Sequence, residues 1–264
     1  MVAITSLQRE QILHAVKQMY TDVASCPDKP YHFPTGRSAC LVLGYSAEML
    51  VGLPESVLES FAGVGCPLQG EPFRAGDHIL DIGSGSGTDT LIAARQVGER
   101  GRVYCLDLTE AMLDKLCHNA ARQGVHWLVP ILGNAESIPL PAACVDGITS
   151  NGVLNLVPDK AGAFRELYRV LRPGGRLRLA DVAVSRDIEV LEEARDIPRL
   201  WAECVVGAVE QEQYVTQLES VGFEDVAVID QTDYFSHSIS ERTRDIARAF
   251  GANSIVIQAR KPAR

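Results

Sequence analysis

The chain has 264 residues, with 34 acidic and 25 basic side chains and a formal net charge of −9. Its 46% hydrophobic and 22% charged residues are typical of a globular protein with a buried core and exclude extensive disorder. A negatively charged chain repels phosphate backbones and anionic lipids, so we expect neither nucleic acid nor a membrane surface as a partner. The sequence contains neither a signal peptide nor an apolar run near the ~20 residues that cross a bilayer, which predicts a soluble cytoplasmic protein.

Residues 1–75 are punctuated by proline and glycine, which predicts an N-terminal extension of helices and ordered loops folded over one edge of a larger domain. From about residue 77 to 184, short apolar runs alternate with helical patterns, as in parallel βαβ units of an α/β fold. The predicted strands cover residues 78–82, 102–108, 127–132, 144–149 and 176–184, and the helices cover 88–97, 109–123 and 160–171. Helices over about 189–206 and 210–221 follow, and strands at 225–230 and 254–260, joined by a long segment, close the sheet.

The most specific motif follows the first predicted strand, where Asp81 precedes three alternate glycines, Gly83, Gly85 and Gly87. Glycine is needed where the chain bends tightly or where its backbone approaches a ligand closely. Three alternate glycines would bring no packing advantage to a plain turn, so the pattern predicts that this turn binds a nucleotide-type cofactor. A dinucleotide fingerprint has the spacing GxGxxG, whereas here the spacing is GxGxG and Thr88 stands in the place of the third small residue. The Asp81 carboxylate would repel a pyrophosphate and suits a cationic ligand.

This Asp-x-Gly-x-Gly-x-Gly arrangement resembles motif I of the class I S-adenosylmethionine-dependent methyltransferases. Further landmarks follow in that family's order: Asp107 at the end of the second strand, GNAESIPL at 133–140, VDGITSN at 145–151 and RVLRPGG at 169–175. The resemblance implies a Rossmann-like α/β fold, with a seven-stranded, mostly parallel sheet, helices on both faces and an antiparallel last strand. It also divides the chain into an extension, 1–75, that covers the active site, and a cofactor-binding domain, 76–264.

The same resemblance implies S-adenosylmethionine as the cofactor, with the Asp107 carboxylate on both ribose hydroxyls and the GNAESIPL segment beside the adenine. The residues predicted to bind the cofactor are Asp81, Gly83, Gly85, Gly87, Asp107, Leu108, Met112, Asn134, Ala135, Glu136 and Ser150.

Outside the cofactor segments, residues from about 40 to 225 resemble the arsenite methyltransferases. The resemblance rests on LGY at 43–45 with LPE at 53–55, GVGCP at 63–67, SNGVLNLVPDK at 150–160 and WAECVVGA at 201–208. In that family, cysteines from separate segments hold trivalent arsenic, a soft atom that prefers thiolate sulfur. Its lone pair then attacks the methyl group, so no general base is required.

The chain departs from that cysteine set at two positions. Val64 stands where the family has the cysteine of its GCG loop, with Cys66 displaced by two residues, and Gly152 stands where the family has the cysteine of SNC. Cys204 matches the family. The resemblance therefore implies that the chain methylates trivalent arsenic, as arsenite or methylarsenite, held by cysteine thiolates. It implies Cys204, Cys66 and Cys40 as catalytic thiols, Cys66 and Cys204 as the arsenic ligands, and glutathione or thioredoxin as the reductant.

Two alternatives remain open. In the first, the scaffold methylates an organic small molecule of quinone or natural-product type, and a carboxylate such as Asp181, ending the fifth strand, acts as the base. In the second, the chain binds S-adenosylmethionine or a metalloid without catalysis. Asn151 is predicted either to orient the substrate or to cap a turn. The remaining central cysteines, Cys105, Cys117 and Cys144, are predicted to be inert residues of the core. The sequence predicts no oligomeric state.

Overall fold

The computed structural model describes residues 5–185, 201 and 207–264. The helix predicted over about 189–206 lies outside the described residues except at position 201. Strands of the described residues are β1 (His78–Ile82), β2 (Arg102–Asp107), β3 (Leu128–Leu132), β4 (Val145–Asn151), β5 (Leu171–Val184), β6 (Val209–Glu210), β7 (Glu224–Thr232) and β8 (Asn253–Arg260). Helices are α1 (Ser6–Ser25), α2 (Gly36–Val42), α3 (Ala47–Leu50), α4 (Glu55–Leu58), α5 (Thr88–Val97), α6 (Glu110–Arg122), α7 (Lys160–Val170), α8 (Gln211–Val221) and α9 (Glu241–Phe250). Two 3₁₀ helices lie at Leu154–Leu156 and Tyr234–His237.

The described strands form one sheet in the order β3-β2-β1-β4-β5-β8-β7, and β6 pairs with the end of β5. β1 to β5 are parallel, and β8 runs antiparallel to both β5 and β7. This arrangement confirms the predicted Rossmann-like α/β class. The described residues form eight strands rather than the predicted seven. The additional strand is the two-residue β6, Val209 and Glu210, which pairs with Ala183 and Val184.

Successive residues of the central strands enter two separate hydrophobic cores. In β1, Ile79 belongs to one buried cluster, whereas Leu80 and Ile82 belong to the other. Because side chains alternate across a strand, this division places one core on each face of the sheet. Helices α5 and α6 bury their apolar residues in the first cluster and α7 and α8 in the second, so both faces are covered, as predicted.

The fifth strand is longer than the sequence predicted. Pro173 and the two glycines after it were expected to separate α7 from a strand beginning at residue 176, yet β5 begins at Leu171, which pairs with Val145. The register shifts between Val145 and Gly147, so the extra residues are taken up as an irregularity in the ladder. Proline and glycine are tolerated there because a bulge leaves backbone groups unpaired within the ladder.

The N-terminal extension shares its core with the sheet domain. Helix α1 begins with a capping box, in which Thr5 and Gln8 bond each other's backbone N–H groups. Its buried residues Ile12, Val16 and Val23 belong to the same apolar cluster as residues of β1, β2 and β5. Helix α1 lies against α6, and its apolar face is thereby removed from water. The division of the chain at residues 75 and 76 stays a prediction.

The long segment that the sequence placed before the last strand contains two elements of its own, a 3₁₀ turn and α9. Ser240 caps α9 by accepting a hydrogen bond from Thr243 N, and Gly251 ends it in the left-handed conformation. In the described part of the chain, no helix has both the length and the apolar character that crossing a bilayer requires.

Candidate active site

A cavity opens at the carboxyl edge of the sheet, where β1 lies between β2 and β4. Chain connections diverge at such a switch point, which leaves a crevice for ligands. The empty volume is about 960 Å³ with its open mouth included, which is in the range of small-molecule sites. Helix α1 and the loop before β1 cover the cavity with Leu13, Val16, Tyr20 and residues 60–63.

The glycine turn forms the floor of this cavity. Gly83 and Gly85 line it with φ values of 70° and 53°, a left-handed conformation that is costly for residues with a side chain. A Cβ on Gly83 would lie 2.2 Å from Val153 Cγ2. Gly87, with φ of 104°, serves differently, because it caps α5 and a Cβ there would lie 3.2 Å from Leu116 Cγ of α6. Gly83 and Gly85 thus present backbone without a side chain to the cavity, and Gly87 allows α5 and α6 to pack closely.

Asp107 sits at the end of β2, where the sequence placed a ribose-binding carboxylate. Its Oδ2 accepts a hydrogen bond from Gly85 N at 2.9 Å, and its Oδ1 accepts one from Thr109 N at 2.8 Å. These backbone donors fix the carboxylate against the glycine turn while it still lines the cavity. Burial raises the pKa of Asp107, and the two amide donors oppose that rise.

Carboxyl groups are the main ionisable groups of the described cavity lining. Asp81, Asp89 and Asp107 all line it and are buried, and its lining residues in the described part of the chain include no lysine, arginine or histidine. Burial raises the pKa of Asp81 well above its usual range, and the neighbouring Asp89 carboxylate adds to the rise. A cation bound beside these carboxyl groups would lower their pKa and be stabilised by their ionised form, whereas a phosphate would be repelled. The residues present therefore fit S-adenosylmethionine, which carries a sulfonium and an ammonium group.

The remaining predicted cofactor residues divide into those that line the cavity and those that support it. Leu108, Met112, Asn134 and Ala135 line it. Ser150 is buried and donates to Ile82 O, which ties β4 to β1 beside the cavity.

Glu136 does not line the cavity and makes a cluster of polar contacts beside it. Its Oε2 accepts hydrogen bonds from the Arg9 guanidinium of α1 and from Asn134 Nδ2, and its Oε1 accepts one from Asp159 N at 2.7 Å. The Glu136 side chain is only 4% exposed. Glu136 therefore joins α1 to the loop after β3 and to the N-cap residue of α7.

The carboxyl end of β4 carries a polar network that the sequence did not predict. The Tyr45 hydroxyl donates to Asp89 Oδ1 at 2.6 Å, and Asn151 Nδ2 donates to Asp89 Oδ2 at 3.1 Å. Asn151 Oδ1 accepts from Val64 N at 2.8 Å, so Asn151 connects β4 to the loop before β1. Asn151 was expected to orient a substrate or cap a turn. The signal that could have revealed Asp89 is its position in the first turn of α5, directly after the glycines.

Two of the three predicted thiols are described by the structure, and neither of them lines the cavity. Cys40 and Cys66 are fully buried and are not among the residues that line it. Burial raises the pKa of Cys40 to about 12 and raises that of Cys66 as well, so both thiols stay protonated near neutral pH. Cys204 lies outside the described residues. Among the residues that the structure does describe, no group of three His, Cys, Asp or Glu side chains is arranged to hold a metal ion.

Three expectations about single residues are corrected. Asp181 does not end its strand, because β5 continues to Val184, and its buried carboxylate accepts from Tyr214 Oη and Val182 N away from the cavity. Cys117 is exposed and Cys144 partly exposed, whereas Cys105 is buried as predicted. Cys117 follows the buried Leu116 on α6, and neighbouring positions of a helix do not share a face.

Comparison with known proteins agrees with this geometry. The sequence model of a family described as "methyltransferase domain" matches residues 73–222, more than half of the chain. An arsenite methyltransferase of Halobacterium salinarum is 33% identical over 224 residues, covering 84% of this chain and 56% of that protein. A demethylmenaquinone methyltransferase of Symbiobacterium thermophilum is 40% identical over 105 residues, covering 39% of this chain and 42% of that protein. The chain spans about half the length of these curated relatives.

Among solved structures, an arsenic(III) S-adenosylmethionine methyltransferase from Chlamydomonas reinhardtii matches with a TM-score of 0.66 and 32% identity. The match covers 81% of this chain and 72% of that one. The family match, the fold and the glycine turn beside Asp107 lead to one assignment. The chain belongs to the class I S-adenosylmethionine-dependent methyltransferases and, within them, resembles the arsenite methyltransferases.

Proposed function

We propose that the chain transfers a methyl group from S-adenosylmethionine to an organic small molecule. The observation that carries the cofactor part is the cavity with three buried carboxylates and no basic residue in its described lining. When bound, the cofactor supplies a methyl group activated by the positive charge on its sulfur. The contribution of the protein is to hold donor and acceptor in line, which is worth about 7–11 kcal/mol of the barrier.

The sheet order separates two ends of the cavity. Asp107 and Asn134 follow β2 and β3 on one side of β1, whereas Asn151 ends β4 on the other side. The first end carries the cofactor residues, and the second is the acceptor end. Phe61, Gly152 and Val153 line that second end together with Asp89. Its described surface combines apolar groups with one carboxylate, which suits an organic molecule better than a soft metalloid.

The replaced cysteine positions support the same acceptor class. Val64 and Gly152 carry no sulfur, and Cys40 and Cys66 lie buried outside the cavity lining. The similarity to a demethylmenaquinone methyltransferase supports an acceptor of hydroquinone shape. The quinone-type relatives that are named C-methyltransferases methylate carbon, so this similarity bears on the shape of the acceptor and not on which of its atoms is methylated. A reduced quinone carries both a large apolar body and an acidic hydroxyl.

A trivalent arsenical is the second candidate acceptor, because of the relatives named as arsenite methyltransferases. Cys204 matches the family position, and the other two bonds to arsenic would come from small thiols such as glutathione or from a hydroxide or methyl group, with glutathione or thioredoxin as the reductant. Arsenic detoxification would then be the biological role. This candidate makes turnover depend on Cys204 and on added thiol.

Calorimetric titration tests the cofactor part. We expect S-adenosylmethionine to release or absorb heat on binding and NAD to give none. Asp107→Ala should weaken cofactor binding about 10- to 100-fold, since a hydrogen bond to a charged group contributes about 1.5–3 kcal/mol. Asp114→Ala, an exposed position on α6, is the control. Absence of cofactor binding to the wild-type protein would overturn the proposal.

A product assay tests the acceptor. The protein is incubated with methyl-labelled S-adenosylmethionine and either a reduced demethylated naphthoquinone or arsenite with glutathione, and labelled products are identified by mass spectrometry. We expect a methylated quinol that still forms with Cys204→Ser. Methylated arsenic that is lost in Cys204→Ser would establish the second candidate instead. Cofactor binding with no product from either mixture would indicate a non-enzymatic binding protein.

A further inference from the structure

Asp89 is the centre of a closed ring of hydrogen bonds at the acceptor end of the cavity. The Tyr45 hydroxyl donates to Asp89 Oδ1, and Asn151 Nδ2 donates both to Asp89 Oδ2 and to the Tyr45 oxygen, at 2.6, 3.1 and 2.9 Å. These contacts hold the carboxylate in one orientation. Each carboxylate oxygen can accept more than one hydrogen bond, so both keep capacity for a further donor.

The ring is anchored on both sides of the acceptor end. Asn151 Oδ1 accepts from Val64 N and Gly65 N, and Gly65 O lies 2.8 Å from Asn151 Nδ2. The two hydrogens on Nδ2 are thus shared among Gly65 O, the Tyr45 oxygen and Asp89 Oδ2. Tyr45 lies edge-on to Phe61, with the ring centroids 5.4 Å apart, and Phe61 lines the cavity. A hydrogen-bonded side chain held on a rigid helix and strand is the arrangement that catalytic groups require.

The groups around Asp89 determine its protonation. Burial raises the pKa of Asp89 to about 6, and the donors Tyr45 and Asn151 oppose the rise. The acidic groups near it are the Asp81 carboxylate of β1 and the thiols of Cys40 and Cys66, and these thiols stay protonated near neutral pH. The Asp107 carboxylate of β2 also acts on Asp81. Asp89 is therefore mostly ionised above about pH 6 and has the basicity that suits proton transfer near neutrality.

We propose that Asp89 is the catalytic base of this site and that the acceptor is a molecule whose attacking atom carries a proton, namely a phenol or a hydroquinone. In the reaction, the acceptor oxygen forms a bond to the methyl carbon, and the carbon–sulfur bond breaks with its electron pair staying on sulfur. The hydroxyl proton passes to the Asp89 carboxylate. Tyr45 and Asn151 are positioning residues. This inference rests on the proposed methyl transfer and deepens it by naming the acceptor chemistry.

A series of phenols of graded acidity, assayed with methyl-labelled S-adenosylmethionine, tests the role directly. Asp89→Asn should slow methylation of a weakly acidic catechol about 100- to 10,000-fold, the usual range for loss of a general base. The same variant should leave a nitrocatechol, which is already ionised at the assay pH, within a few-fold of wild type. A merely structural role for Asp89 would slow both acceptors equally and would overturn the inference.

Infrared titration of the carboxyl groups provides a readout that needs no acceptor. Because burial also raises the pKa of the Asp181 carboxyl to about 6, the titration is made in an Asp181→Asn background. A band that titrates near pH 6 should be present in that background and absent once Asp89→Asn is added, and its midpoint should rise with Tyr45→Phe, which lacks one donor to the carboxylate. Asp28→Asn, at an exposed turn, is the matched control and should keep the band. A band that persists in Asp89→Asn would contradict the assignment.

The outcomes separate this inference from the proposed function. Failure to bind S-adenosylmethionine would overturn the methyltransferase proposal itself. Cofactor binding without methylation of any phenol or hydroquinone would overturn the role of Asp89 and leave cofactor binding intact. Methylation of arsenite by Asp89→Asn at the wild-type rate, with no phenol methylated by either protein, would likewise overturn it.

Discussion

Val64 and Gly152 approach each other beside the acceptor end of the cavity, where a Cβ on Gly152 would lie 3.3 Å from Val64 Cγ1. They are the two positions at which this chain lacks a cysteine of the arsenite methyltransferase pattern. In place of two thiols of that pattern, the chain has a valine and a glycine, at positions that the fold brings together. Gly152 has a φ of 69°, which is a further reason for glycine at this position.

A methyl group on Gly152 should destabilise the fold for two separable reasons. The left-handed backbone costs about 1–2 kcal/mol for a residue with a Cβ, and the new Cβ must also displace Val64. Gly124→Ala is the control, because Gly124 has a similar φ of 67° but nothing within 4 Å of its Cβ position. In urea unfolding, we expect Gly152→Ala to lower the free energy of unfolding more than Gly124→Ala does. This additional loss should be smaller when Gly152→Ala is made in a Val64→Ala background. Equal losses in the two alanine variants would contradict the contact.

The cysteines should differ sharply in reactivity toward iodoacetamide. With a pKa near 12, Cys40 is ionised at pH 8 about 1,000-fold less than an ordinary thiol, and it is also fully buried, as is Cys66. Cys26 and Cys117 are exposed. Peptide mass spectrometry should find Cys26 and Cys117 alkylated first and the two buried thiols modified only after denaturation. Rapid alkylation of native Cys66 would revive its role as a substrate ligand.

Removal of Arg9 should shorten the residence time of the cofactor. Arg9 pairs with Glu136, which joins α1 to the loop after β3, and α1 covers the cavity with Leu13 and Val16. Arg9→Ala should speed release of labelled S-adenosylmethionine several-fold, while the free energy of unfolding changes by less than about 1 kcal/mol because the pair is partly exposed. Lys29→Ala breaks an exposed pair with Asp22 and should leave release unchanged. Identical release rates in all three proteins would refute the contribution of this ion pair.

The titration of Asp181 should lower the free energy of unfolding as the pH rises. Its burial raises the pKa to about 6 in the folded chain, whereas an unfolded aspartate titrates near 3.9. The folded state therefore binds the extra proton, and the stability associated with it is present below about pH 4 and is lost as the pH rises through 6. Relative to wild type, Asp181→Asn should gain more stability at pH 8 than at pH 4 in urea unfolding. A pH-independent difference between the two proteins would contradict this assignment.

Local patterns determined much of the fold and of the cofactor end. The three alternate glycines and the carboxylates at the ends of β1 and β2 were readable because strand, turn and helix follow one another directly in the chain. The same locality explains one error, since Pro173 and Gly174 look like a break unless the partner strand and its bulge are known. Gly87 was predicted to bind the cofactor, yet it does not line the cavity, and the reason for glycine there, close packing of α5 on α6, belongs to the tertiary structure.

The acceptor end was decided by contacts between distant segments. Tyr45, Asp89 and Asn151 lie far apart in the chain, and no spacing in the sequence indicates that their polar atoms form one ring. Burial is likewise a property of the tertiary structure, and it decides the state of Cys66, because a cysteine near a family position becomes a thiolate only where water or a positive charge stabilises it. Charge state and convergence of side chains depend on the packed environment, whereas strand order and the glycine turn depend mainly on neighbouring residues.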